Sequence, residues 1–315
     1  MCATGSDAFR NACYAVACGA CDIALVMGAE KLKDSGLAGL PAGFIHPVLG
    51  VNATAPGRWA MGATRYFRTY GLSPEEGKRT LAKISVKSHY NGSRNPKAML
   101  RNRITIEQVL NAPIIAWPLG LFDCCGVCDG ASAAIMCRTE DARYFRPHGD
   151  FITIKASAIA CGPGWGKERT NYEYTTWEET EAAAKQAYAM AGITNPRKEL
   201  SLAEVHDCFS IAEMIAVESM GICEKGHAKE DIESGAWEQG GEIPINVSGG
   251  LKAFGHPAGA SGGREVYEFY KQFQGKAEDS TRQLKDVKMG LAHNQGGHPG
   301  NFVCGITIVG EPPSR

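Results

Sequence analysis

The stretch Leu202-Ala-Glu-Val-His-Asp-Cys-Phe-Ser-Ile-Ala-Glu-Met-Ile215 joins a short β-type run to a helical pattern, with His206 and Cys208 at the junction. Many α/β enzymes carry their chemistry at such a corner. The free N–H groups of a first helical turn lower the pKa of a cysteine placed there, and a neighbouring histidine can hold or pass a proton. The alternative is a small buried thiol without chemistry, since free cysteine is among the most buried residue types. The stretch alone leaves both interpretations open.

Two other corners resemble each other in composition and spacing. Cys2-Ala-Thr-Gly5 begins one helical pattern, and His256-Pro-Ala-Gly259 begins another. Superposing the two stretches suggests an internal repeat that puts Cys2 opposite His256, Gly5 opposite Gly259 and Arg10 opposite Arg264. A cysteine and a histidine at equivalent corners of two related halves would face each other across a pseudo-two-fold axis.

Composition excludes several functional classes. The chain has 315 residues, 44% of them hydrophobic, which is enough for a substantial core in one domain or two fused halves. The formal net charge of -1, without a basic stripe, argues against nucleic-acid binding. No apolar run approaches the roughly 20 residues that a membrane span needs, and no signal peptide precedes Cys2. We therefore expect a soluble, cytoplasmic protein that binds neither nucleic acid nor membrane.

The twelve cysteines are expected to be reduced, because the chain is long and lacks a secretory signal. Two CxxC pairs, Cys18–Cys21 and Cys125–Cys128, raise the alternative of a four-thiolate zinc site. The first pair falls in a helical pattern that extends from Thr4 to about Cys21, and about a hundred residues separate the two pairs. We therefore predict no metal site.

Strand and helix patterns alternate along the chain, which indicates an α/β fold. Ser73 is predicted to cap a helix, with Pro74 at its first position and Glu76 completing a capping box. A second helix is predicted over 178–191. Towards the end, a loop around 290–301 is expected to link two β runs. No phosphate-binding glycine motif and no GxSxG motif is present, so nucleotide-binding and serine-hydrolase functions have no support.

Four motifs occur in order and together carry a family resemblance: Cys2-Ala-Thr-Gly-Ser6, His206-Asp-Cys-Phe209, Gly255-His-Pro-Ala-Gly-Ala-Ser-Gly262 and His293-Asn-Gln-Gly-Gly297. The chain resembles the thiolase superfamily over essentially its whole length, and in particular the sterol-carrier-protein-type and archaeal-type branch with His-Asp-Cys-Phe. The resemblance implies an α/β thiolase-like fold of two similar βαβαβ halves, layered αβαβα, with an inserted helical loop domain and with the first part of the N-terminal half missing.

The resemblance divides the chain into four segments. These are the remainder of the N-terminal half at 1–30, the inserted loop domain at 31–120, a return strand and connector at 121–145, and the C-terminal half at 146–315. No strand precedes Cys2, and a nucleophile needs a fixed backbone. We therefore expect that sequence upstream of Met1 is missing.

The resemblance also implies a role for each site residue. Cys2 would be the acylated nucleophile, His256 the base that activates it, and Cys208 the acid/base at the substrate α-carbon. His206, with a water, would hold the thioester oxygen. A second oxyanion hole would use the Cys2 N–H and a backbone N–H from the Asn294–Gly297 loop, at Asn294 or Gly296. Ser248 and Gly249 would run beside the pantetheine arm of CoA, and His293 stands where the commoner branch has its acid/base cysteine.

A thiolase would use CoA or acetyl-CoA as substrate, without a tightly bound cofactor. It would act as a homodimer or dimer of dimers, and an OB-fold/zinc-ribbon accessory subunit is a further partner in this branch. Aromatic residues suggest a pocket for a bulky or aromatic acyl chain such as that of benzoylsuccinyl-CoA: Trp59, Trp117, Phe122, Tyr172 and Tyr174. Two alternatives remain. One is a non-catalytic thiolase-like subunit. The other is a thiolase-like retro-aldolase, although such proteins usually lack the nucleophilic cysteine.

Overall fold

The computed structural model describes residues 1–36, 54–163 and 172–312. The helices are α1 Thr4–Ala17, α2 Ala55–Thr69, α3 Pro74–Ser93, α4 Ile106–Leu110, α5 Thr139–Phe145, α6 Glu178–Ala191, α7 Pro196–Glu199, α8 Ser210–Ser219, α9 Ala228–Ser234, α10 Gly250–Ala253 and α11 Ser261–Phe273. The strands are β1 Ile23–Lys31, β2 Ile114–Ala116, β3 Leu119–Gly120, β4 Asp129–Cys137, β5 Thr153–Cys161, β6 Leu202–Val205, β7 Met289–His298 and β8 Asn301–Gly310.

The main sheet has four strands in the order β5-β8-β7-β6. Strand β8 is antiparallel to both of its neighbours, whereas β6 and β7 are parallel. The other long strands, β1 and β4, form an antiparallel pair whose register runs from Ile23 opposite Cys137 to Lys31 opposite Asp129. About a hundred residues separate the two strands in sequence, so β4 brings the chain back beside β1, the strand that follows α1.

The elements are arranged in layers. Helices α1 and α11 pack against each other between the β1–β4 pair and the main sheet, and α6 covers β5 and β8. One apolar cluster, around Phe9, Val266 and Phe269, fills the space between the two sheets. A larger cluster joins the main sheet to α2, α3, α6 and α8. The long helices α1, α2, α3, α6 and α11 therefore each bury an apolar face against a sheet or another helix, as a layered α/β fold requires.

The predicted helix boundaries at two sites are confirmed. The Ser73 side chain accepts a hydrogen bond from the Glu76 N–H, and the Glu76 carboxylate accepts one from the Ser73 N–H, so the capping box forms and Pro74 begins α3. Helix α6 spans the predicted residues 178–191 and ends at a left-handed Gly192. In both cases local sequence is sufficient, because caps satisfy backbone groups within one turn.

Helix α1 ends at Ala17 rather than near Cys21, so this prediction was wrong. The physical reason is Gly19, whose φ of +76° is left-handed and ends the helical path. Cys18 and Cys21 therefore lie in the turn between α1 and β1, outside the helix.

Two further expectations differ from the structure. Residues 294–297 are not a loop but part of β7, which pairs with β8 continuously until a tight turn at Pro299 and Gly300. The expected polar connector after β4 contains helix α5, which has Glu140 and Asp141 in its first turn, where carboxylates favour a helix.

The segment predicted as the inserted domain contributes α2, α3 and α4 within its described part, and residues 37–53 lie outside the described residues. Helix α3 packs against α8, α9 and α10, so this segment is continuous with the core. The four segment boundaries stay predictions. In the part of the chain that the structure describes, no helix combines the length and apolar character needed to cross a membrane.

Candidate active site

Three residues from distant parts of the chain converge at one point. Cys2 precedes α1, His206 follows β6, and His256 precedes α11. The Cys2 sulfur and one ring nitrogen from each histidine lie within 4.8 Å of one another. The two imidazole rings are 5.0 Å apart between centroids and nearly perpendicular, at 86°. The structure thus brings Cys2 and His256 together, as the superposition of the two corners predicted.

The start of α1 packs directly on the start of α11, which explains this convergence. A Cβ atom at Gly5 would lie 3.1 Å from the Gly259 carbonyl oxygen, so the two corners touch through small residues. Further along, the Ser6 hydroxyl donates to the Asn294 Oδ1 at 2.9 Å, which ties α1 to β7.

His256 is held in a defined orientation by Ser261. Its Nδ1 lies 2.8 Å from the Ser261 Oγ, and that hydroxyl in turn donates to the Pro257 carbonyl oxygen at 3.2 Å. Because the hydroxyl proton is committed to Pro257, the Ser261 oxygen accepts from Nδ1–H. The proton of the neutral ring is therefore on Nδ1, and Nε2, which is buried without a hydrogen-bond partner, has a free lone pair. This is the tautomer that a base needs.

Burial governs the protonation of the site. It lowers the pKa of His256 to about 4, with the positive charge of Arg264 acting in the same direction. The pKa of His206 is also lowered, first by burial and then by the neighbouring His256 and His293. Both rings are therefore neutral near pH 7.

The two site cysteines have raised pKa values, contrary to the lowered value expected at a helix start. Burial raises the pKa of Cys2 to about 11 and that of Cys208 well above its usual value. The N-terminal end of a helix does favour a thiolate, but the loss of hydration is the larger effect here. Both residues therefore rest as thiols, and Cys2 needs a base to become a nucleophile.

Cys208 is buried and lies beside Cys125, whose only sequence signal is its place in a CxxC pair. The Cys125 N–H donates to the Cys208 carbonyl oxygen at 2.9 Å, and Cys124 bridges to Phe209. Among the effects that raise the pKa of Cys208, after burial, are the thiols of Cys125 and Cys2. No sequence signal placed Cys125 here, because only the tertiary fold brings the segment after β3 to this corner.

His293 supports the corner from behind. Its Nδ1 accepts a hydrogen bond from the His206 N–H at 3.4 Å, and its Nε2 lies 3.2 Å from the Thr180 hydroxyl. The ring is fully buried, which lowers the pKa of His293 to about 3. His293 therefore contacts the backbone of the site as a neutral ring. By the family resemblance, it occupies the position at which the commoner branch has its acid/base cysteine.

The two residues proposed for the second oxyanion hole differ in their surroundings. The side-chain amide of Asn294 is engaged at both ends: its Nδ2 donates to Glu265 Oε2 at 2.6 Å, and its Oδ1 accepts from the Ser6 hydroxyl. Gly296 lies beside the nucleophile: a Cβ there would sit 2.6 Å from the Cys2 nitrogen. Only a glycine allows this close approach of β7 to the Cys2 backbone. The oxyanion role of both residues stays a prediction.

Ser248 and Gly249, predicted to run beside pantetheine, immediately precede α10 and lie in the buried core. The buried Ser248 hydroxyl donates to Glu204, and the Ser248 N–H donates to the same carboxylate at 3.0 Å. Arg264 forms an ion pair with Glu204 at 3.1 Å. Gly249 packs against the end of α3. The side chain of Ser248 is thus committed to a buried ion pair, and contact with CoA stays a prediction.

A buried lysine joins the His206–Cys208 corner to three neighbouring elements. Lys252, on α10, donates to Ser85 on α3 at 2.8 Å and to Ser210 at the start of α8. Ser210 also donates to Asp123 at 2.8 Å. Burial lowers the pKa of Lys252, while the carboxylates of Asp123 and Asp207 oppose the change. No sequence pattern predicts this network, because Lys252 has no motif of its own.

The aromatic residues proposed for an acyl pocket are divided between core and surface. Trp59 packs against Phe209, Phe302 and Trp177 with ring centroids 5.2–5.5 Å apart. Trp117 is 56% exposed. Trp59 is therefore part of a packed aromatic cluster directly behind Cys208. The remaining members of the set, Phe122, Tyr172 and Tyr174, contact His89 or each other.

The two CxxC pairs do not form a four-thiolate site. Over residues 1–36, 54–163 and 172–312, the one group of three or more metal-ligating side chains that lie together is Cys2, His206 and His256.

Comparison with known proteins identifies the family. Residues 165–306 match the thiolase C-terminal domain-like family. The acetyl-CoA acetyltransferase of Methanothermobacter thermautotrophicus is 38% identical, over 97% of this chain and 77% of the relative. The chain belongs to the thiolase family. It is an acyltransferase of the thiolase type, and the thiolase-like α/β fold expected from its four motifs is confirmed.

Two further similar proteins carry names of different enzymes, a thiolase subunit and an aldolase. The benzoylsuccinyl-CoA thiolase subunit BbsB of Thauera aromatica is 31% identical, over 94% of this thiolase and 74% of the relative. The solved structure of the Ltp2-ChsH2(DUF35) aldolase superposes with a TM-score of 0.84 at 26% identity, covering 99% of this thiolase and 78% of that chain.

Proposed function

We propose that this thiolase transfers an acyl group between Cys2 and CoA, and that acetyl-CoA is the second substrate. The reaction is the thiolytic cleavage of a 3-oxoacyl-CoA or the reverse Claisen condensation. The observation that carries the proposal is the convergence of Cys2, His206 and His256, with the free Nε2 of His256 available as a base.

In the first step, His256 Nε2 takes the proton of the Cys2 thiol, and the resulting thiolate attacks the carbonyl carbon of the acyl thioester. Negative charge develops on the carbonyl oxygen, where the Cys2 N–H and His206 are the candidate donors. The intermediate collapses to acyl-Cys2, and the leaving thiolate of CoA takes back the proton from His256. The neutral resting state of His256 favours this step, since a protonated ring could not accept the proton.

In the second step of synthesis, Cys208 reacts as its thiolate, after its proton has passed to a solvent base. The thiolate removes a proton from the α-carbon of acetyl-CoA, and the carbanion attacks the acyl-Cys2 carbonyl. Cleavage of the acyl–sulfur bond releases the 3-oxoacyl-CoA product and the Cys2 thiolate, which takes the proton from Cys208 and so restores the Cys208 thiolate. A cysteine with a raised pKa is a weak acid and, once deprotonated, a strong base, which suits proton transfer at carbon. In thiolysis the same thiol protonates the departing carbanion.

For the acyl chain, we favour a small group. The aromatic residues behind Cys208 pack on each other, which supports a filled core rather than a wide aromatic pocket. The acetyl-CoA acetyltransferase name belongs to a relative with 38% identity, and the benzoylsuccinyl-CoA name to one with 31%. A bulky or aromatic 3-oxoacyl-CoA is the second substrate candidate.

We further propose a homodimer or dimer of dimers as the active assembly, with an OB-fold/zinc-ribbon accessory subunit as an additional partner. The two-part name of the Ltp2-ChsH2(DUF35) aldolase supports a second subunit and keeps a retro-aldolase as the alternative reaction. The retained Cys2 favours the thiolase, because retro-aldol cleavage needs no acyl-cysteine.

The test is mass spectrometry of the full chain after incubation with acetyl-CoA or acetoacetyl-CoA. We expect an acetyl group on Cys2 that is absent in the Cys2→Ser variant. Cys18→Ser is the matched control, since this exposed thiol lies in the turn after α1 and the acetylated fraction should not change.

The opposite results would decide between the alternatives. A folded wild-type chain that is never acylated, but cleaves an aldol substrate, would replace the thiolase with a retro-aldolase. A folded chain that does neither would favour a non-catalytic subunit.

A further inference from the structure

The Cys2–His206–His256 cluster, whose thiol and imidazoles serve the proposed acyl transfer, is also the donor set of a transition-metal site. His206 is only 2% exposed and His256 only 4%. Even so, the Nδ1 of His206 and the Nε2 of His256 are buried without any hydrogen-bond partner. Buried polar atoms are nearly always satisfied, so an unpaired nitrogen on each histidine indicates that this cluster binds a ligand. The acyl thioester is one such ligand, and the donor set suits a metal cation as a second.

We propose that Cys2, His206 and His256 also form a binding site for one thiophilic divalent cation, with Zn²⁺ as the best fit, and that the bound metal blocks acylation. Zinc accepts thiolate and imidazole ligands at about 2.0–2.3 Å, which places neighbouring ligand atoms roughly 3.5 Å apart in a tetrahedron. The three atoms here lie within 4.8 Å, so small rotations of the side chains close the site.

The surroundings of the cluster match those of a zinc site. His256 donates its other ring nitrogen to Ser261, the outer contact that usually orients a histidine ligand. Two imidazoles and one sulfur, without a carboxylate in the group, favour Zn²⁺ over Mg²⁺ or Ca²⁺, which prefer oxygen. On binding, the Zn–S bond forms, the Cys2 proton passes to solvent, and the fourth position stays open to water.

Such a metal would act as a reversible inhibitor and not as a cofactor of the reaction. The sulfur that attacks the thioester would be coordinated, and the His256 nitrogen that takes its proton would be occupied. Acyl transfer and metal binding would therefore exclude each other at the same three atoms.

The experiment is a titration of the metal-free full chain with Zn²⁺ in competition with a chromophoric chelator, with Mg²⁺ as the comparison metal. We expect one Zn²⁺ per chain at this site. Cys2→Ala and His256→Ala should each weaken zinc binding by about tenfold or more, since each removes one ligand. The double variant Cys18→Ser/Cys21→Ser is the matched control, because it removes a thiol pair outside the cluster and should retain the affinity.

A second measurement uses the wild-type chain, so that it does not depend on the folding of a variant. Co²⁺ in place of Zn²⁺ should give the absorption band of a thiolate–cobalt bond, and prior alkylation at Cys2, located by mass spectrometry, should remove it. Undiminished zinc binding in folded Cys2→Ala, or a cobalt spectrum without a thiolate band, would overturn the site. Acylation of the zinc-loaded chain at the metal-free rate would overturn the inhibition.

This titration is independent of the acylation assay. A chain that is acetylated on Cys2 but binds no zinc would refute the metal site alone. A chain that binds zinc at the cluster but is never acetylated would refute the proposed function alone.

Discussion

At the scale of single residues, the contact between Ser261 and His256 decides which nitrogen of the ring is basic. The Ser261 hydroxyl is fixed by its bond to Pro257, so it can only accept from Nδ1–H. We predict that Ser261→Ala lowers the rate of Cys2 acylation by about 10–100-fold, because the ring loses its preferred tautomer and orientation. The rate is measured by rapid quench and mass spectrometry.

Ser234→Ala is the control for this variant, since Ser234 is exposed and only bonds the Asp231 carbonyl in α9. An unchanged acylation rate in folded Ser261→Ala would show that the tautomer is held in another way.

His256 also makes a predictable contribution to stability. Its folded-state pKa is about 4, against an unfolded value of about 6.5. Between these values the unfolded chain binds a proton that the folded chain does not, so the contribution of His256 to the free energy of unfolding falls as the pH is lowered. Below pH 4 both states are protonated and the change ends.

We therefore predict that the free energy of unfolding of the wild type, minus that of His256→Asn, rises by up to about 1.4 kcal/mol per pH unit between pH 4 and 6.5. Above pH 7 the difference should be constant. Burial raises the pKa of Asp207 to about 7, so its contribution to stability changes with pH in the opposite direction. Asp207 is present in both proteins, and its contribution therefore cancels in the difference. Urea unfolding at several pH values measures the difference, and a flat profile would contradict the neutral buried ring.

At the scale of elements, strand β1 approaches the start of α11 so closely that only a glycine fits. A Cβ at Gly28 would lie 2.2 Å from the Gly259 carbonyl oxygen and 3.0 Å from the Ala260 Cα. We predict that Gly28→Ala lowers the free energy of unfolding by about 2–3 kcal/mol, because backbone on both sides must move.

Gly240→Ala is the matched control, since a Cβ there meets nothing within 4 Å and its backbone is not left-handed. It should change stability by less than about 0.5 kcal/mol. Thermal unfolding of both variants tests the difference, and equal stability would mean that β1 and α11 are further apart than described.

At the scale of the whole molecule, the outer face of the β1–β4 pair is apolar and exposed. Leu25 and Ile135 are register partners on this face, and they are 63% and 78% exposed, with Met27 beside them at 64%. An apolar face of this kind usually marks a contact with another surface. It supports the proposed homodimer, with a second copy of this chain on the strand pair.

We predict that Leu25→Glu and Ile135→Glu each shift the chain from dimer to monomer in analytical ultracentrifugation, because a carboxylate would be buried in the contact. Met61→Glu, at a 49% exposed position on α2, is the control and should leave the mass unchanged. Dimers that persist in both strand variants would place the contact elsewhere.

Local sequence patterns and ordered motifs were sufficient to predict the family, the α/β alternation, the start of α3 and both ends of α6. These features depend on residues that are close together in the chain, such as the Ser73–Glu76 capping box, or on motifs read in order. The repeat of the two corners was also sufficient to predict that Cys2 faces His256. By contrast, the helix end at Gly19 was missed, because a glycine shows its left-handed backbone only in the folded chain.

The electrostatics of the site follow from its burial in the folded chain. The helix starts predicted a lowered cysteine pKa, but burial is a property of the whole fold and raises the pKa of both Cys2 and Cys208. Cys125 and Lys252 reach the site through contacts across long sequence separations, which no local pattern encodes. Sequence thus specified which residues could react, and packing specified how much water, charge and hydrogen bonding each of them retains.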